Sequence, residues 1–173
     1  HFSLDFEELN RRHLETFDTY EVGKTSLKIY LQRVIFYKKR SFSMGQFKSF
    51  MFSRSQSYPK MIELVCHLKE KYGLRIAALS NEGRELNAYR IKKFKLGQFI
   101  DFFISSSYVH LRKPDEDIYR LALDVSQMPP SKVLYIEDRP MLVQVAQKMG
   151  INAICHQNFE STIPELKKFH LQY

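Results

Sequence analysis

The chain has 173 residues and a mass of 20.6 kDa, the length of about one domain and enough to bury a sizeable core. Hydrophobic residues make up 44% and charged residues 27%, which excludes a disordered chain, and no apolar run approaches the roughly 18 residues that span a bilayer. We therefore expect no membrane partner. The net charge is +8, and the charged residues are distributed unevenly along the chain.

Residues 1–57 show helical spacing only and are predicted to form a small helical domain. Asp5 is a candidate cap for the first helix, and Thr25 is predicted to begin the second. Ser43, with Gln46 three residues later, forms a capping box for the third helix. Aromatic residues are dense in this stretch, and packing in a helical core is favoured over a substrate pocket as their role.

Residues 58–173 alternate between helical patterns and short apolar runs. Pro59 suits the first position of a helix that ends at Gly73. Strands that alternate with helices predict an α/β fold, with a parallel, Rossmann-like sheet between two layers of helices. The predicted strands are residues 76–79, 102–104, 133–136 and 151–155, and a closing helix is predicted from Pro164 to Leu171.

Polar side chains follow two of these strands at the point where each strand ends. Ser80 and Asn81 follow the first, where a hydroxyl and backbone N–H groups suit a phosphate oxygen, although serine is also a common helix cap. Glu137 and Asp138 follow the third, and carboxylates favour Mg²⁺, with a helix cap beside a solvated acid as the alternative. Because ligands bind at the carboxyl ends of parallel strands, we expect a site at this edge of the sheet.

The cation Lys113 lies between these two clusters in chain order, on a predicted loop before Pro114. It could neutralise a phosphate or hold a carboxylate, or it could be simply solvated. As a loop lysine, it is expected to pack against little.

At this point the sequence resembles the haloacid dehalogenase-like hydrolase superfamily, over roughly residues 58–157. Residues 1–57 resemble, by position, the helical cap that such enzymes insert between their first and second motifs. Three segments are similar to the second, third and fourth motifs of the family: Leu79-Ser80-Asn81, Arg112-Lys113-Pro114-Asp115 and Tyr135-Ile136-Glu137-Asp138.

The resemblance implies an Mg²⁺-dependent phosphatase that acts on a small phosphorylated metabolite through an aspartyl-phosphate intermediate. Ser80 and Asn81 would then hold phosphate oxygens. Lys113 would be the catalytic lysine that neutralises the phosphate and orients the nucleophile. Asp138, with Glu137, would bind the metal. A dehalogenase is disfavoured, because dehalogenases of this fold work without a metal.

The first motif of this family, an apolar strand that ends in Asp-x-Asp, is absent from the sequence. In such folds this strand is central to the sheet, and each buried backbone group left unpaired without it costs roughly 1–3 kcal/mol. We therefore expect a segment before His1 that carries the nucleophile, and we expect the 173-residue chain alone to be inactive. A non-catalytic binding or regulatory protein on the same scaffold is the alternative.

A stretch between Val22 and Ile62 contains nine Lys or Arg residues and no Asp or Glu. Such a stretch attracts anions and favours a phosphorylated substrate, with a solvated basic face as the alternative. No nucleic-acid-binding motif accompanies it, so a nucleic-acid partner is not expected. The only cysteines, Cys66 and Cys155, have no metal-ligand spacing and are too few for a disulfide framework, which favours free thiols in the cytoplasm.

Overall fold

A computed structural model describes residues 2–173. In this range no helix is both long and apolar enough for a membrane span, and Cys66 and Cys155 are free thiols. The α-helices of the described residues are α1 (Phe6–Glu21), α2 (Leu27–Val34), α3 (Met44–Ser53), α4 (Pro59–Tyr72), α5 (Arg84–Lys93), α6 (Ser106–Val109), α7 (Glu116–Ser126), α8 (Pro140–Lys148) and α9 (Phe159–Lys167). The strands are β1 (Ala77–Ser80), β2 (Phe102–Ser105), β3 (Leu134–Glu137) and β4 (Asn152–Cys155).

The described chain divides into two compact units that alternate along the sequence. Unit 1 contains residues 2–57, 80–97 and 104–112. Unit 2 contains residues 58–79, 98–103 and 113–173. The assignment of residues 1–57 as a cap and 58–173 as a catalytic core stays a prediction about function.

Local capping sets the first helices of unit 1. The Asp5 carboxylate accepts a hydrogen bond from the Glu8 N–H at 3.2 Å, so α1 begins as predicted. The prediction that Thr25 begins α2 is wrong by one position, because the Ser26 hydroxyl accepts the Ile29 N–H at 3.3 Å. The Thr25 N–H instead donates to the Thr19 carbonyl, which ties it to the end of α1.

The third helix confirms the capping box. The Ser43 hydroxyl accepts the Gln46 N–H at 3.2 Å, and the Gln46 side chain accepts the Ser43 N–H at 2.8 Å. These reciprocal bonds satisfy two backbone donors at the helix start.

Aromatic packing forms the core of unit 1, as predicted. Tyr20, on α1, is 5% exposed and stacks on Tyr30 of α2 with ring centroids 4.7 Å apart. Leu27 and Leu31 are buried in the same cluster. The partly buried aromatic residues packed against it are Phe17, Tyr30, Phe36, Phe42, Phe47 and Phe52.

Two parallel strands and the helices around them form the core of unit 2. Strand β3 pairs with β4 in parallel, in a register that runs from Leu134 opposite Asn152 to Glu137 opposite Cys155. Buried Leu64 of α4 packs in the same cluster as Ile154 of β4. The predicted limits of α4 are confirmed, since Gly73 ends it in the left-handed conformation at φ +63°.

The α/β class is confirmed, but the sheet of the described residues consists of two separate pairs of strands. Strand β1 pairs with β2, and β3 pairs with β4. No described strand joins the two pairs, in agreement with the gap expected where the strand of the first motif is absent from the sequence.

The predicted start of the closing helix at Pro164 is wrong. Helix α9 begins at Phe159, because the Asn158 side chain accepts the Ser161 N–H at 2.8 Å in a second capping box. Pro164 therefore lies inside the helix rather than at its first turn. The capping side chain, and not the proline, determines where this helix begins.

Candidate active site

Lys113 lies in unit 2, three residues before the first residue of α7, and its side chain is buried. The residue is only 8% exposed. Its ammonium donates to the Leu79 carbonyl at 3.0 Å, to the Tyr135 hydroxyl at 3.0 Å and to Glu137 Oε2 at 2.6 Å. These acceptors match the three N–H donors of a lysine ammonium. The expectation that this loop lysine packs against little is therefore wrong.

Glu137 lies at the end of β3 and is 9% exposed. Its Oε2 atom accepts hydrogen bonds from Lys113 and from the Tyr135 hydroxyl, the latter at 2.5 Å. Its Oε1 atom accepts the backbone N–H groups of Asp138 at 3.1 Å and Arg139 at 3.2 Å. Because α8 begins at Pro140, these N–H groups belong to the approach to a helix N-terminus, where a carboxylate is stabilised.

These contacts shift the pKa values of the neighbouring acids Glu137 and Asp138 in opposite directions. Burial alone raises the pKa of Glu137, but hydrogen bonds from Asp138, Lys113 and Tyr135 outweigh it and lower the pKa to about 2. The pKa of Asp138 is raised, because of its hydrogen bond with Glu137, partial burial and the neighbouring negative charge. Glu137 is the ionised partner of Lys113 at neutral pH.

Tyr135 completes this cluster, although the sequence motifs alone assign it no role in the site. Burial and the negative charge of Glu137 raise the pKa of Tyr135, so its hydroxyl stays protonated and donates to that carboxylate. Tyr135 and Glu137 are two residues apart on β3, so their side chains point to the same face. That alternation is the signal that could have placed Tyr135 in the site.

The two acids differ in what they offer to a metal ion. Mg²⁺ in proteins takes one or two carboxylates and fills its remaining positions with water and substrate phosphate. Each oxygen of Glu137 already accepts two hydrogen bonds, whereas the side chain of Asp138 is exposed. Residues 2–173 contain no cluster of three His, Cys, Asp or Glu side chains that could hold a metal. Asp138 fits a magnesium ligand, and the same role for Glu137 stays a prediction.

The other predicted phosphate-binding residues, Ser80 and Asn81, belong to unit 1. The Ser80 hydroxyl donates to the Ser105 hydroxyl at 3.2 Å. The Ser106 hydroxyl accepts the Glu82 N–H at 3.0 Å and donates to the Glu21 carbonyl at 2.7 Å. Ser105 and Ser106 are buried, and these hydrogen bonds position the turn that follows β1. Within unit 2 the structure brings Lys113, Glu137 and Asp138 together, in line with the third and fourth motifs.

A family model extends across most of the chain. Residues 6–156 match the model described as haloacid dehalogenase-like hydrolase. The chain belongs to this family. The resemblance seen in the three sequence motifs is thereby confirmed, and hydrolase is the activity class of the family.

Curated relatives of the chain include phosphatases and larger proteins. The chain is 30% identical over 133 residues to bifunctional epoxide hydrolase 2 of Mus musculus. This match covers 74% of this chain and 24% of that protein. It is 28% identical over 131 residues to the phosphorylated carbohydrates phosphatase of Thermotoga maritima, covering 76% of this chain and 56% of that protein. The chain thus spans between about a quarter and about half of these relatives.

Solved structures confirm the Rossmann-like α/β fold. A predicted HAD-like family hydrolase from Porphyromonas gingivalis aligns with a TM-score of 0.73 and 23% identity, over 98% of this chain and 92% of that chain. A HAD family enzyme from Bacteroides thetaiotaomicron, in complex with magnesium and inorganic phosphate, aligns with a TM-score of 0.74 and 17% identity. That match covers 92% of this chain and 91% of the enzyme.

Proposed function

We propose that this protein is a phosphatase that hydrolyses a small phosphorylated metabolite through an aspartyl-phosphate intermediate. The observation that supports it most is the buried Lys113–Glu137 ion pair, with nitrogen and oxygen 2.6 Å apart, beside the exposed carboxylate of Asp138. A curated relative that is named a phosphorylated carbohydrates phosphatase supports the substrate class.

Lys113 would neutralise negative charge on the phosphoryl group and orient the nucleophile. Its ammonium is fixed by the Leu79 carbonyl and the Tyr135 hydroxyl, so little reorganisation would be needed during the reaction. Glu137 pairs with that ammonium at 2.6 Å and orients it. Glu137 and Tyr135 are therefore positioning residues, and Lys113 is the catalytic residue of this set.

Ser80 and Asn81 would bind phosphate oxygens, and Asp138 would hold Mg²⁺. When bound, the metal would neutralise charge on the phosphate ester. The basic stretch between Val22 and Ile62 would favour an anionic substrate. The reaction also requires an aspartate nucleophile, and we expect the 173-residue chain by itself to show no turnover. A cytoplasmic location stays part of this proposal.

The test is turnover of p-nitrophenyl phosphate and a panel of sugar and nucleotide phosphates by the complete gene product, with Mg²⁺ and with EDTA. We expect metal-dependent release of phosphate that Asp138→Asn lowers at least tenfold. Asp138 is exposed, so this variant should keep the wild-type unfolding midpoint. Lys148→Ala, at an exposed position on α8, is the matched control and should retain full activity.

Two outcomes would contradict the proposal. Wild-type turnover in Asp138→Asn would exclude the predicted role of that carboxylate. Binding of phosphate esters without turnover of any of them would favour the non-catalytic binding protein instead.

A further inference from the structure

Tyr119, on α7, is a fully buried aromatic residue of unit 2, with only 1% of its surface exposed. Its ring meets the ring of Tyr135 edge to face, with ring centroids 5.8 Å apart and ring planes at 86°. Two aromatic rings favour this arrangement, because the positive edge of one ring lies against the negative face of the other. The contact therefore limits how far the Tyr135 ring can turn.

The orientation of the Tyr135 ring matters because its hydroxyl links two charged groups. It accepts a hydrogen bond from the Lys113 ammonium at 3.0 Å and donates one to Glu137 Oε2 at 2.5 Å. A phenol oxygen lies in the plane of its ring, so both bonds depend on where the ring points. A ring that turned away would remove one acceptor from the ammonium and one donor from the carboxylate.

Tyr119 also connects the elements that carry the site. Helix α7, on which it lies, begins three residues after Lys113, and the ring contact reaches β3. The Tyr119 hydroxyl donates to the Leu142 carbonyl, in the first turn of α8, at 3.4 Å. This distance exceeds the usual value of about 2.8 Å, so the bond is weak. The ring, rather than the hydroxyl, is the main link between α7 and the site.

We propose that Tyr119 is a positioning residue of the site, whose ring holds the Tyr135 hydroxyl between Lys113 and Glu137. It acts through Tyr135 and not on the substrate. The kinetic part of this inference rests on the proposed phosphatase activity, in which Lys113 is the catalytic residue. The structural part, that the Tyr119 ring keeps the Lys113 ammonium fixed, does not depend on that activity.

Leu166 of α9 offers a matched control on the other side of β3. It is also 1% exposed, and it belongs to the cluster against which Leu134 and Ile136 pack. Side chains alternate along a strand, so these two residues lie on the face of β3 opposite to Tyr135. Leu166→Ala therefore removes buried apolar atoms but leaves the two stacked tyrosine rings intact. It reports what a loss of core packing alone does to the site.

The first test measures p-nitrophenyl phosphate turnover by the complete gene product. Tyr119→Leu should lower kcat about tenfold and change KM less than about twofold, because a misplaced catalytic group slows the chemical step more than binding. Tyr119→Phe keeps the ring and should stay within about twofold of the wild-type kcat, as should Leu166→Ala. In a Tyr135→Phe background, which lacks the hydroxyl, Tyr119→Leu should lower kcat less than about twofold further.

The second test needs no turnover. Heteronuclear NMR detects a buried lysine ammonium whose hydrogen bonds slow the exchange of its protons with water. The Lys113 signal, assigned by its loss in Lys113→Arg, should be present in the wild type and in Leu166→Ala. It should be broadened or absent in Tyr119→Leu, because the ammonium is then no longer held in one position.

Several results would overturn the inference. One is an ammonium signal that Tyr119→Leu leaves unchanged, and another is the absence of that signal from the wild type. In an active enzyme, wild-type kcat in Tyr119→Leu, or an equal loss in Leu166→Ala, would do the same. If the wild type hydrolyses no phosphate ester, the proposed function fails, and the ammonium signal alone then decides the role of Tyr119.

Discussion

The two compact units carry very different charge. Unit 1 contains 16 Lys or Arg and 8 Asp or Glu, and unit 2 contains 11 of each. The whole net charge of +8 therefore belongs to unit 1. Unit 2, although neutral, holds the buried Lys113–Glu137 ion pair. The net positive charge thus belongs to unit 1, whereas the buried ion pair, whose loss would cost the most stability, belongs to unit 2.

The environment of the charges explains this difference. In unit 1, Lys38 and Lys39 are exposed, and Arg12 lies over the Tyr37 ring at 3.5 Å while pairing with Glu8. Water and salt screen such groups, so each contributes little to the free energy of unfolding. Lys113 is withdrawn from water, so removing its charge leaves an uncompensated carboxylate in the interior.

The largest expected effect comes from Lys113→Ala. We expect the free energy of unfolding to fall by about 3–5 kcal/mol, because Glu137 is left buried without its cation. Urea denaturation measures the change. The matched control, Lys148→Ala on the exposed face of α8, should change it by less than about 0.5 kcal/mol. The double variant Lys113→Met with Glu137→Leu should recover much of the loss, and no recovery would contradict the buried-charge explanation.

Next in size is Gly23→Ala in unit 1, compared with Gly73→Ala in unit 2. Both glycines have positive φ, +72° and +63°, so alanine costs about 1–2 kcal/mol at either position. A methyl group on Gly23 would also lie 2.1 Å from the Ser107 carbonyl oxygen, whereas Gly73 has open space within 4 Å. The overlap should add about 1–3 kcal/mol at Gly23. Thermal unfolding measures both losses of stability. Equal losses for Gly23→Ala and Gly73→Ala would show that the contact with the Ser107 carbonyl oxygen has no energetic cost.

A smaller effect is expected for Arg12→Ala. The guanidinium stacks on Tyr37 and donates to the Arg33 carbonyl at 3.2 Å, so its removal should cost about 0.5–1 kcal/mol. Arg11→Ala removes a neighbouring, exposed arginine that pairs with the half-buried Glu8 and the exposed Glu15. The denaturation midpoint of Arg12→Ala should therefore be lower than that of Arg11→Ala. The reverse order would mean that the stacking contact is not formed in solution.

The smallest effect concerns pH and Asp101 in unit 2. Hydrogen bonds from Lys69 and from the Ile76 N–H lower the pKa of Asp101 below 3.8. A carboxyl group whose pKa is lower in the folded than in the unfolded state stabilises the fold at pH values above its unfolded-state pKa. This stabilisation is lost as the pH falls through the folded-state pKa. Asp101→Asn should therefore be less stable than the wild type at pH 7, with a difference that shrinks below about pH 4. A difference independent of pH would exclude this titration as its cause.

Local chemistry could be predicted from the sequence wherever one or two residues decide the structure. The Ser43 capping box and the Gly73 helix end are contacts within one turn, so the residue pattern contains all that determines them. Helix α9 shows the limit of this reasoning, because Asn158 and Pro164 are both plausible signals for its start. Only the folded geometry shows that the asparagine cap prevails.

The environment of the site could not be predicted in the same way. Motif spacing placed Lys113 near Glu137, but not the burial of the lysine or its bond to the Leu79 carbonyl 34 residues away. Such contacts depend on how distant segments pack, and no local pattern encodes them.

The interleaving of the two units bears on how the chain is synthesised. The described chain passes from one unit to the other five times, at residues 57/58, 79/80, 97/98, 103/104 and 112/113. As the ribosome releases the chain, residues 2–57 therefore emerge without Ser106, whose hydroxyl holds the Glu21 carbonyl at the end of α1. Unit 1 cannot be completed until residue 112 has emerged. A nascent chain halted before that point would expose apolar surface and be a natural client for chaperones.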